Sequence, residues 1–267
     1  SGGSCRGVNA VDWQIARSAS FQVASGDYSV IGGGKNNQAT AAFATIAGGA
    51  NNICAKTGAF IGGGNLNICR GAYGLIAGGS RNLVNNELGT ILAGYRNCIV
   101  GSFSSIASGN FIGAGNGNLI KGSNSCIVNG LSNFITNNSS GSFIGGGKDV
   151  RVFADNVVVV NGLSITAGAV GSLVLNGQKH QAKGVGSAII NGYQNITIGE
   201  RAFIGNGSKN RANGKFSFIG NGYYCAIESN SNYSTILNGN CNYVVGNFSV
   251  IGNGKKQNIR GKYSVIL

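Results

Sequence analysis

One aliphatic residue recurs every fifteen residues along most of this chain. Isoleucine or valine stands at the recurring position, and twelve of the fifteen steps between these residues are 15 residues long, the others being 21, 17 and 17. We call these residues the anchors: Ile31, Ile46, Ile61, Ile76, Ile91, Ile106, Ile127, Ile144, Val159, Val174, Ile189, Ile204, Ile219, Ile236, Ile251 and Ile266. Such a repeat predicts stacked copies of one small unit rather than a conventional globular domain.

Glycine stands three residues after each of the first fifteen anchors. A position that accepts only glycine indicates a turn with positive φ, and the residue before it is glycine or asparagine in most repeats, as at Gly33 and Asn161. A second glycine, five residues before many anchors, as at Gly26 and Gly71, marks the opposite corner of the repeat. The predicted turn glycines after the anchors are Gly34, Gly49, Gly64, Gly79, Gly94, Gly109, Gly130, Gly147, Gly162, Gly177, Gly192, Gly207, Gly222, Gly239 and Gly254.

Two short strands and two turns in each repeat predict an all-β fold, a parallel β-solenoid of about 16 coils with about 15 residues each. The composition agrees, since 48 glycines without any proline exclude collagen and 42% apolar residues exclude a disordered linker. We assign residues 26–267 to the repeat domain and residues 1–25 to an N-terminal neck or cap, with Trp13 as its hydrophobic plug. The longest apolar stretches are far shorter than the roughly 20 residues that a membrane helix needs, so no membrane insertion is expected.

The residue before the anchor is apolar in many repeats, although successive strand residues point to opposite sides of a sheet. A thin coil has one interior, so the second apolar face needs a cover, and identical chains around an axis would supply it in a homotrimer or another cyclic oligomer. The alternative is a single chain with a wider interior that encloses both residues. The predicted oligomer interface consists of Phe60, Leu75, Phe143, Phe203 and Phe218.

The repeat resembles a known family in two stretches. Residues Ser29 to Asn37 (SVIGGGKNN) and Ser249 to Lys255 (SVIGNGK) look like the left-handed β-roll of YadA-like trimeric adhesin heads, which also occurs in phage and large-virus fibres. Residues Arg6 to Gln14, running into Gln22 to Asp27, are similar to the join between a collagen-like stalk and such a head. The resemblance implies left-handed coils, a homotrimer and a collagen-like stalk upstream.

The chemistry-bearing residues do not favour an enzyme. The seven carboxylates do not align between repeats, and the single histidine, His180, occupies a position at which other repeats carry asparagine, which predicts a structural substitute. The seven cysteines form no CxxC pair, so we interpret them as small buried hydrophobes of a protein assembled in a reducing compartment. We expect no catalytic site, no metal and no cofactor.

Basic residues align after the turn glycines and give the chain a formal charge of +13. Stacked coils turn them into positive stripes that suit an anionic glycan or a cell-surface receptor, or that simply keep a long sheet edge soluble. Aromatic residues are not interleaved with the stripe, so nucleic acid is the less favoured ligand. The predicted anion-binding residues are Lys35, Arg81, Arg96, Lys148, Lys179, Lys209 and Lys255.

These observations favour a structural or attachment protein, the trimeric head of a virion fibre located at a virion or cell surface. A bacterial cell-surface trimeric adhesin and a filament-forming subunit are the alternatives. The segment from Ser108 to Asn116 is the largest departure from the repeat and is either a receptor loop or an idle bulge.

Overall fold

The computed structural model describes residues 5–100 and 109–267, and within them the chain is all-β. The chain divides into two compact units, Ser1–Asn133 (unit 1) and Phe134–Leu267 (unit 2). Each unit is a parallel β-solenoid in which every coil contributes one strand to a first sheet and one strand to a second sheet. No helix of the described residues is long and apolar enough to cross a membrane.

Unit 1 has eight described strands in its first sheet and six in its second. The first-sheet strands are β1 (Val11–Asp12), β2 (Val30–Ile31), β4 (Thr45–Ile46), β6 (Phe60–Ile61), β8 (Leu75–Ile76), β10 (Thr90–Ile91), β12 (Phe111–Ile112) and β14 (Cys126–Ile127). The second-sheet strands are β3 (Gln38–Ala39), β5 (Ile53–Cys54), β7 (Ile68–Cys69), β9 (Leu83–Val84), β11 (Cys98–Ile99) and β13 (Leu119–Ile120).

Unit 2 has nine strands in each sheet. The first-sheet strands are β16 (Phe143–Ile144), β18 (Val158–Val159), β20 (Leu173–Val174), β22 (Ala188–Ile189), β24 (Phe203–Ser208), β26 (Phe218–Tyr223), β28 (Thr235–Asn240), β30 (Val250–Ile251) and β32 (Val265–Ile266). The second-sheet strands are β15 (Phe134–Ile135), β17 (Arg151–Val152), β19 (Thr166–Ala167), β21 (Gln181–Ala182), β23 (Ile196–Thr197), β25 (Arg211–Ala212), β27 (Ala226–Ile227), β29 (Tyr243–Val244) and β31 (Asn258–Ile259).

The interior of each unit encloses one residue from each short strand. Among the described residues, the anchors of the first sheet from Ile31 to Ile251 are fully buried, and the inward residues of the second sheet, such as Ala39 and Val152, are equally buried. The residue before each anchor is only half-buried or exposed, as in the strands Phe143–Ile144 and Phe60–Ile61. The alternative of a wider interior that encloses both residues is therefore wrong. In each unit, the row of residues before the anchors lies outside the core.

A ladder of buried asparagines ties neighbouring coils together at the corner between the two sheets. The side-chain amide of Asn37 donates to the carbonyl of Gly33 in its own coil at 3.1 Å and to that of Gly49 in the next coil at 2.9 Å. Its Oδ1 accepts from the backbone N–H of Asn52 at 3.0 Å. One side chain thus satisfies three backbone groups, so asparagine is favoured wherever this corner is buried. The ladder asparagines are Asn37, Asn52, Asn67, Asn82, Asn97, Asn118, Asn133, Asn195, Asn210 and Asn242.

Positive φ occurs at most of the predicted turn glycines but not at the residue before them. Thirteen of the fifteen, from Gly34 at +83° to Gly254 at +135°, have positive φ. Gly222 does not, although Gly207 and Gly239, its partners in the neighbouring strands, do. Neither Gly33 nor Asn161 is left-handed; the second left-handed residue instead lies two positions after the glycine, as at Asn36 and Lys179.

The anchor predicted at the 21-residue step was wrong, because strand pairing places it six residues later in the chain. Strand β10 pairs with β12, so the anchor of that coil is Ile112, and its turn glycine is Gly115 rather than Gly109. Ile106 lies outside the described residues. Of the proposed receptor loop from Ser108 to Asn116, Ser108 lies outside the described residues, and residues 110–116 belong to a regular coil.

The segment assigned to a neck begins the stack. Strand β1 pairs with β2 and places Asp12 in register with Ile31. Burial opposes ionisation of Asp12, but hydrogen bonds from Arg17, Ala24 and Gln14 outweigh it and lower its pKa; Arg17 lies 2.8 Å away. Trp13 is 73% exposed, so the plug prediction was wrong: it directly follows strand β1, next to the buried Asp12, and its own side chain lies at the surface.

Candidate functional site

Over the described residues, the first sheet of each unit presents a face without charged side chains. We call it face A, formed in each coil by the residues directly before and after the anchor. The residues before the anchor are Val30, Thr45, Phe60, Leu75, Thr90, Phe111, Cys126, Phe143, Val158, Leu173, Ala188, Phe203, Phe218, Thr235, Val250 and Val265. The residues after it are Gly32, Ala47, Gly62, Ala77, Leu92, Gly113, Val128, Gly145, Val160, Leu175, Ile190, Gly205, Gly220, Leu237, Gly252 and Leu267.

The two positions of face A compensate each other in size. Every phenylalanine before an anchor is followed two residues later by glycine, as in Phe143 and Gly145. In several coils a small residue before the anchor is followed by a larger one, as in Ala188 and Ile190. The Phe143 ring lies against its glycine, since an added Cβ at Gly145 would stand 3.2 Å from the ring. In these coils a large residue at one position is matched by a small residue at the other.

The five predicted interface residues all belong to face A. Phe60 is 37% exposed, while the other four are half-buried against their neighbours in the stack. The rings of Phe203 and Phe218 are stacked with their centroids 5.3 Å apart. Each unit thus brings its predicted interface residues to a single apolar face: Phe60 and Leu75 in unit 1, and Phe143, Phe203 and Phe218 in unit 2.

The second sheet presents a different outward face, which we call face B. Its residues before the inward position are Gln38, Ile53, Ile68, Leu83, Cys98 and Leu119 in unit 1, and Phe134, Arg151, Thr166, Gln181, Ile196, Arg211, Ala226, Tyr243 and Asn258 in unit 2. In unit 2 this row is mixed and includes two arginines. Of the two faces, face A is the one that combines a regular core row beneath it with an uncharged surface in both units.

His180 replaces a ladder asparagine, as the sequence predicted. It is fully buried, and its Nδ1 accepts from the backbone N–H of Asn195 at 3.1 Å, as an asparagine Oδ1 does elsewhere. Nδ1 is the acceptor, so the proton of the neutral ring lies on Nε2, and Nε2 has no hydrogen-bond partner. Burial lowers the pKa of His180 to about 4. The imidazole is thus neutral at neutral pH and enclosed in the stack, where it cannot reach a substrate.

The predicted basic stripe is divided between two positions of the corner. Lys35, Lys148 and Lys255 directly follow the turn glycine, and their backbones form bridges to adjacent coils. The residues one position further on have positive φ and point to a different side: Arg81, Arg96, Lys179, Lys209 and Lys256.

In each unit, basic residues of the corner lie against tyrosine side chains. In unit 1, Arg81 and Arg96 lie over the ring of Tyr95, with guanidinium carbons 5.9 and 4.9 Å from its centroid. In unit 2, Lys179 Nζ donates to the Tyr193 hydroxyl at 3.3 Å, and Lys209 Nζ donates to the Tyr224 hydroxyl at 2.7 Å. The expectation that aromatic residues are not interleaved with the basic residues was therefore wrong.

Arg211 was missed by the sequence analysis although a signal was present. It stands two residues after Lys209, and the residue between them, Asn210, is a buried ladder asparagine. In strand β25 Arg211 precedes the buried Ala212, so alternation within the strand turns the Arg211 side chain outward. Lys209 and Arg211 line one open cleft in unit 2 together with Lys179.

The cysteine prediction was right for three residues. Cys54, Cys69 and Cys225 are buried, whereas Cys98 and Cys126 are half-buried on the outer faces and Cys5 and Cys241 are exposed. Burial raises the pKa of Cys69 to about 11 and that of Cys54 further, so neither is a thiolate nucleophile at neutral pH. Within residues 5–100 and 109–267, no group of three His, Cys, Asp or Glu side chains is arranged to hold a metal ion.

No protein-family model matches the chain. A comparison with curated proteins likewise gives no match. We therefore infer the function from the geometry of faces A and B.

Proposed function

We propose that this chain is a structural attachment protein, the head of a trimeric fibre on a virion or cell surface, in which face A packs around the symmetry axis. The observation that carries the proposal is the absence of charge from the described residues of face A on a chain of net charge +13. Copies of such a basic chain repel one another, and face A is the side through which they can approach without burying a charge.

The extent of face A supports an interface rather than ordinary surface hydrophobicity. In unit 2 it runs across nine strands, which at the usual spacing of about 4.8 Å make a strip about 38 Å long. Isolated apolar residues are normal on a monomer, but a continuous strip of this size marks an interaction surface. Three copies and left-handed coils are the arrangement that the resemblance to YadA-like heads implies.

The remaining surface suits a rigid display role. Backbone groups are bonded from coil to coil, and the ladder asparagines fix one corner of each coil. With the apolar faces turned inward, three chains would present about +39 charges to the outside. A stiff and basic surface of this kind is suited to contact anionic material on a host or partner cell.

The solution mass tests the proposal. Three chains of 27.0 kDa predict about 81 kDa by light scattering at neutral pH. Because the contact is apolar, we expect the same mass in 0.15 M and in 1 M sodium chloride, conditions that screen charge interactions strongly. A mass of 27 kDa at micromolar concentration would rule out the trimeric head.

A further inference from the structure

An open cleft of about 650 Å³ crosses four consecutive coils of unit 2. Its wall is the left-handed corner row, with Lys179, Gln194, Lys209 and Tyr224 on successive coils. Its floor is formed by outward residues of face B that pair from strand to strand: Gln181, Ile196, Arg211 and Ala226. We call this cleft the basic groove.

The two lysines of the basic groove are held in place by tyrosines. Lys209 Nζ lies 4.6 Å from the ring centroid of Tyr224 as well as bonding to its hydroxyl, and this bond raises the pKa of Lys209. Lys179 Nζ lies 5.5 Å from the ring centroid of Tyr193. A lysine restrained in this way loses less side-chain entropy when it binds an anion.

The positive charge of the basic groove is not neutralised from within the protein. Among the described residues, Lys179, Lys209 and Arg211 form no ion pair, the ion pairs there being those of Asp12 with Arg17 and of Glu200 with Lys215. Of the residues that line the groove, Glu228 is the one carboxylate, and it is hydrogen-bonded by Tyr243. The lining therefore carries three positive charges and one negative charge, and none of the three cations forms an ion pair among the described residues.

We propose that the basic groove binds an acidic oligosaccharide, with Lys179, Lys209 and Arg211 contacting its sulfate or carboxylate groups. Arginine offers a fork of donors to such groups, and lysine provides a point charge. Gln181 and Gln194 supply amide donors and acceptors for sugar hydroxyls. These amides add hydrogen-bonding groups to the positive charge of the groove.

The state of the tyrosine rings favours a glycan over a single-stranded nucleic acid. Nucleic-acid sites offer aromatic faces on which bases stack. Here Lys209 covers a face of Tyr224, and Tyr223 packs against that ring edge to face with centroids 4.8 Å apart. Lys179 likewise covers the ring of Tyr193. The rings thus position the lysines and are poorly placed to receive bases.

This proposal deepens the attachment function and rests on it for its biological meaning, but the groove is built by unit 2 of one chain. The probe is a fluorescent dextran sulfate oligosaccharide at 0.15 M salt, with unsulfated dextran as the neutral control. The test variant is Lys209→Gln with Arg211→Gln. The matched control is Lys56→Gln with Arg70→Gln, which likewise removes one lysine and one arginine charge, from exposed residues of unit 1.

We expect the wild-type chain to bind dextran sulfate and not dextran, and the groove variant to bind at least tenfold more weakly. The control variant should change the affinity less than twofold. Equal weakening by both variants, no binding by the wild type, or equally tight binding of a single-stranded DNA of the same charge would overturn the proposal. Light scattering on the same samples separates the two claims: selective binding by a monomer refutes the trimer alone, and a trimer without selective binding refutes the groove alone.

Discussion

Face A and face B are both built from short parallel strands, yet the two sheets differ in their buried rows and in their outer rows. Beneath face A the anchors are isoleucine or valine in nearly every coil, and above it every described side chain is uncharged. Beneath face B the buried residues vary between alanine, cysteine, threonine, valine and isoleucine, and in unit 2 the outer side is polar in most coils. The fold of one chain requires only the buried inner row. The uncharged outer row of face A therefore has a cause other than the folding of one chain.

A charge placed on each face gives the largest contrast. Phe203→Glu puts a carboxylate into the proposed contact, where three copies would meet without a cation to pair with, so we expect complete dissociation to a 27 kDa species. Thr166→Glu on face B adds the same charge next to Arg151, its cross-strand neighbour, and should leave the mass unchanged. If Phe203→Glu keeps the wild-type mass while remaining folded by circular dichroism, face A is not the contact.

Lowering the pH should destabilise the fold at His180, the ladder position beside the basic groove. The pKa of His180 is lowered by burial to about 4, below the ordinary value of 6.5, so the unfolded chain binds a proton first as the pH falls. The stabilisation that a neutral His180 allows is complete above pH 6.5 and declines as the pH drops towards 4. We expect a loss of about 2 to 3 kcal/mol in the free energy of unfolding across this window, allowing for some solvent screening.

His180→Asn is the matched control for the acid effect. Asparagine is the usual residue at this ladder position and does not titrate, so this part of the pH dependence should disappear. Urea unfolding at pH 7.0, 5.5 and 4.5 measures it. An identical pH profile for the variant and the wild type would show that His180 does not remain neutral in the folded state.

Two adjacent glycines at the edge of face A test how rigid the turn is. Gly147 has a φ of +110°, and an added Cβ would fall on the carbonyl oxygen of Gly162 in the next coil, so Gly147→Ala should cost about 2 kcal/mol. Gly146 has no positive φ, and an added Cβ would find its nearest neighbour, Asn161 Oδ1, at 3.7 Å. Gly146→Ala should therefore change the urea midpoint little, and equal effects of the two variants would contradict the turn geometry.

Most of the fold could be predicted because every coil places the same physical requirements on the same positions of the repeat. Buried anchors, turn glycines and ladder asparagines recur with the coil, and His180 was predictable as a substitute from its position alone. The register at the 21-residue step was not, because Ile106 and Ile112 are both followed by glycine three residues later. Only strand pairing distinguishes them, and Phe111–Ile112 pairs with the strands on both sides.

The basic groove was predicted less completely. The sequence shows which residues are basic, but it does not show the backbone conformation at the corner, which directs their side chains. A left-handed residue two places after the glycine directs Lys179 and Lys209 towards face B, while Lys148 and Lys255, one place earlier, point elsewhere. Trp13 was misjudged because a buried carboxylate, Asp12, takes the inward position beside it. That arrangement depends on Arg17, which the spacing of the repeat does not reveal.

The smallest effect should come from the exposed aromatic residues at the corner opposite the ladder. Phe216, Tyr233, Phe248 and Tyr263 stack in series with centroids 5.0 to 5.2 Å apart. Each ring packs face to face on the next one, so the row stabilises the stack. Phe248→Leu should lower the free energy of unfolding by about 1 kcal/mol, the usual value of an aromatic pair, and leave the oligomer mass unchanged. A loss of oligomer in this variant would place the contact at this corner rather than on face A alone, because the substitution leaves Val250, the face A residue of the same coil, unchanged.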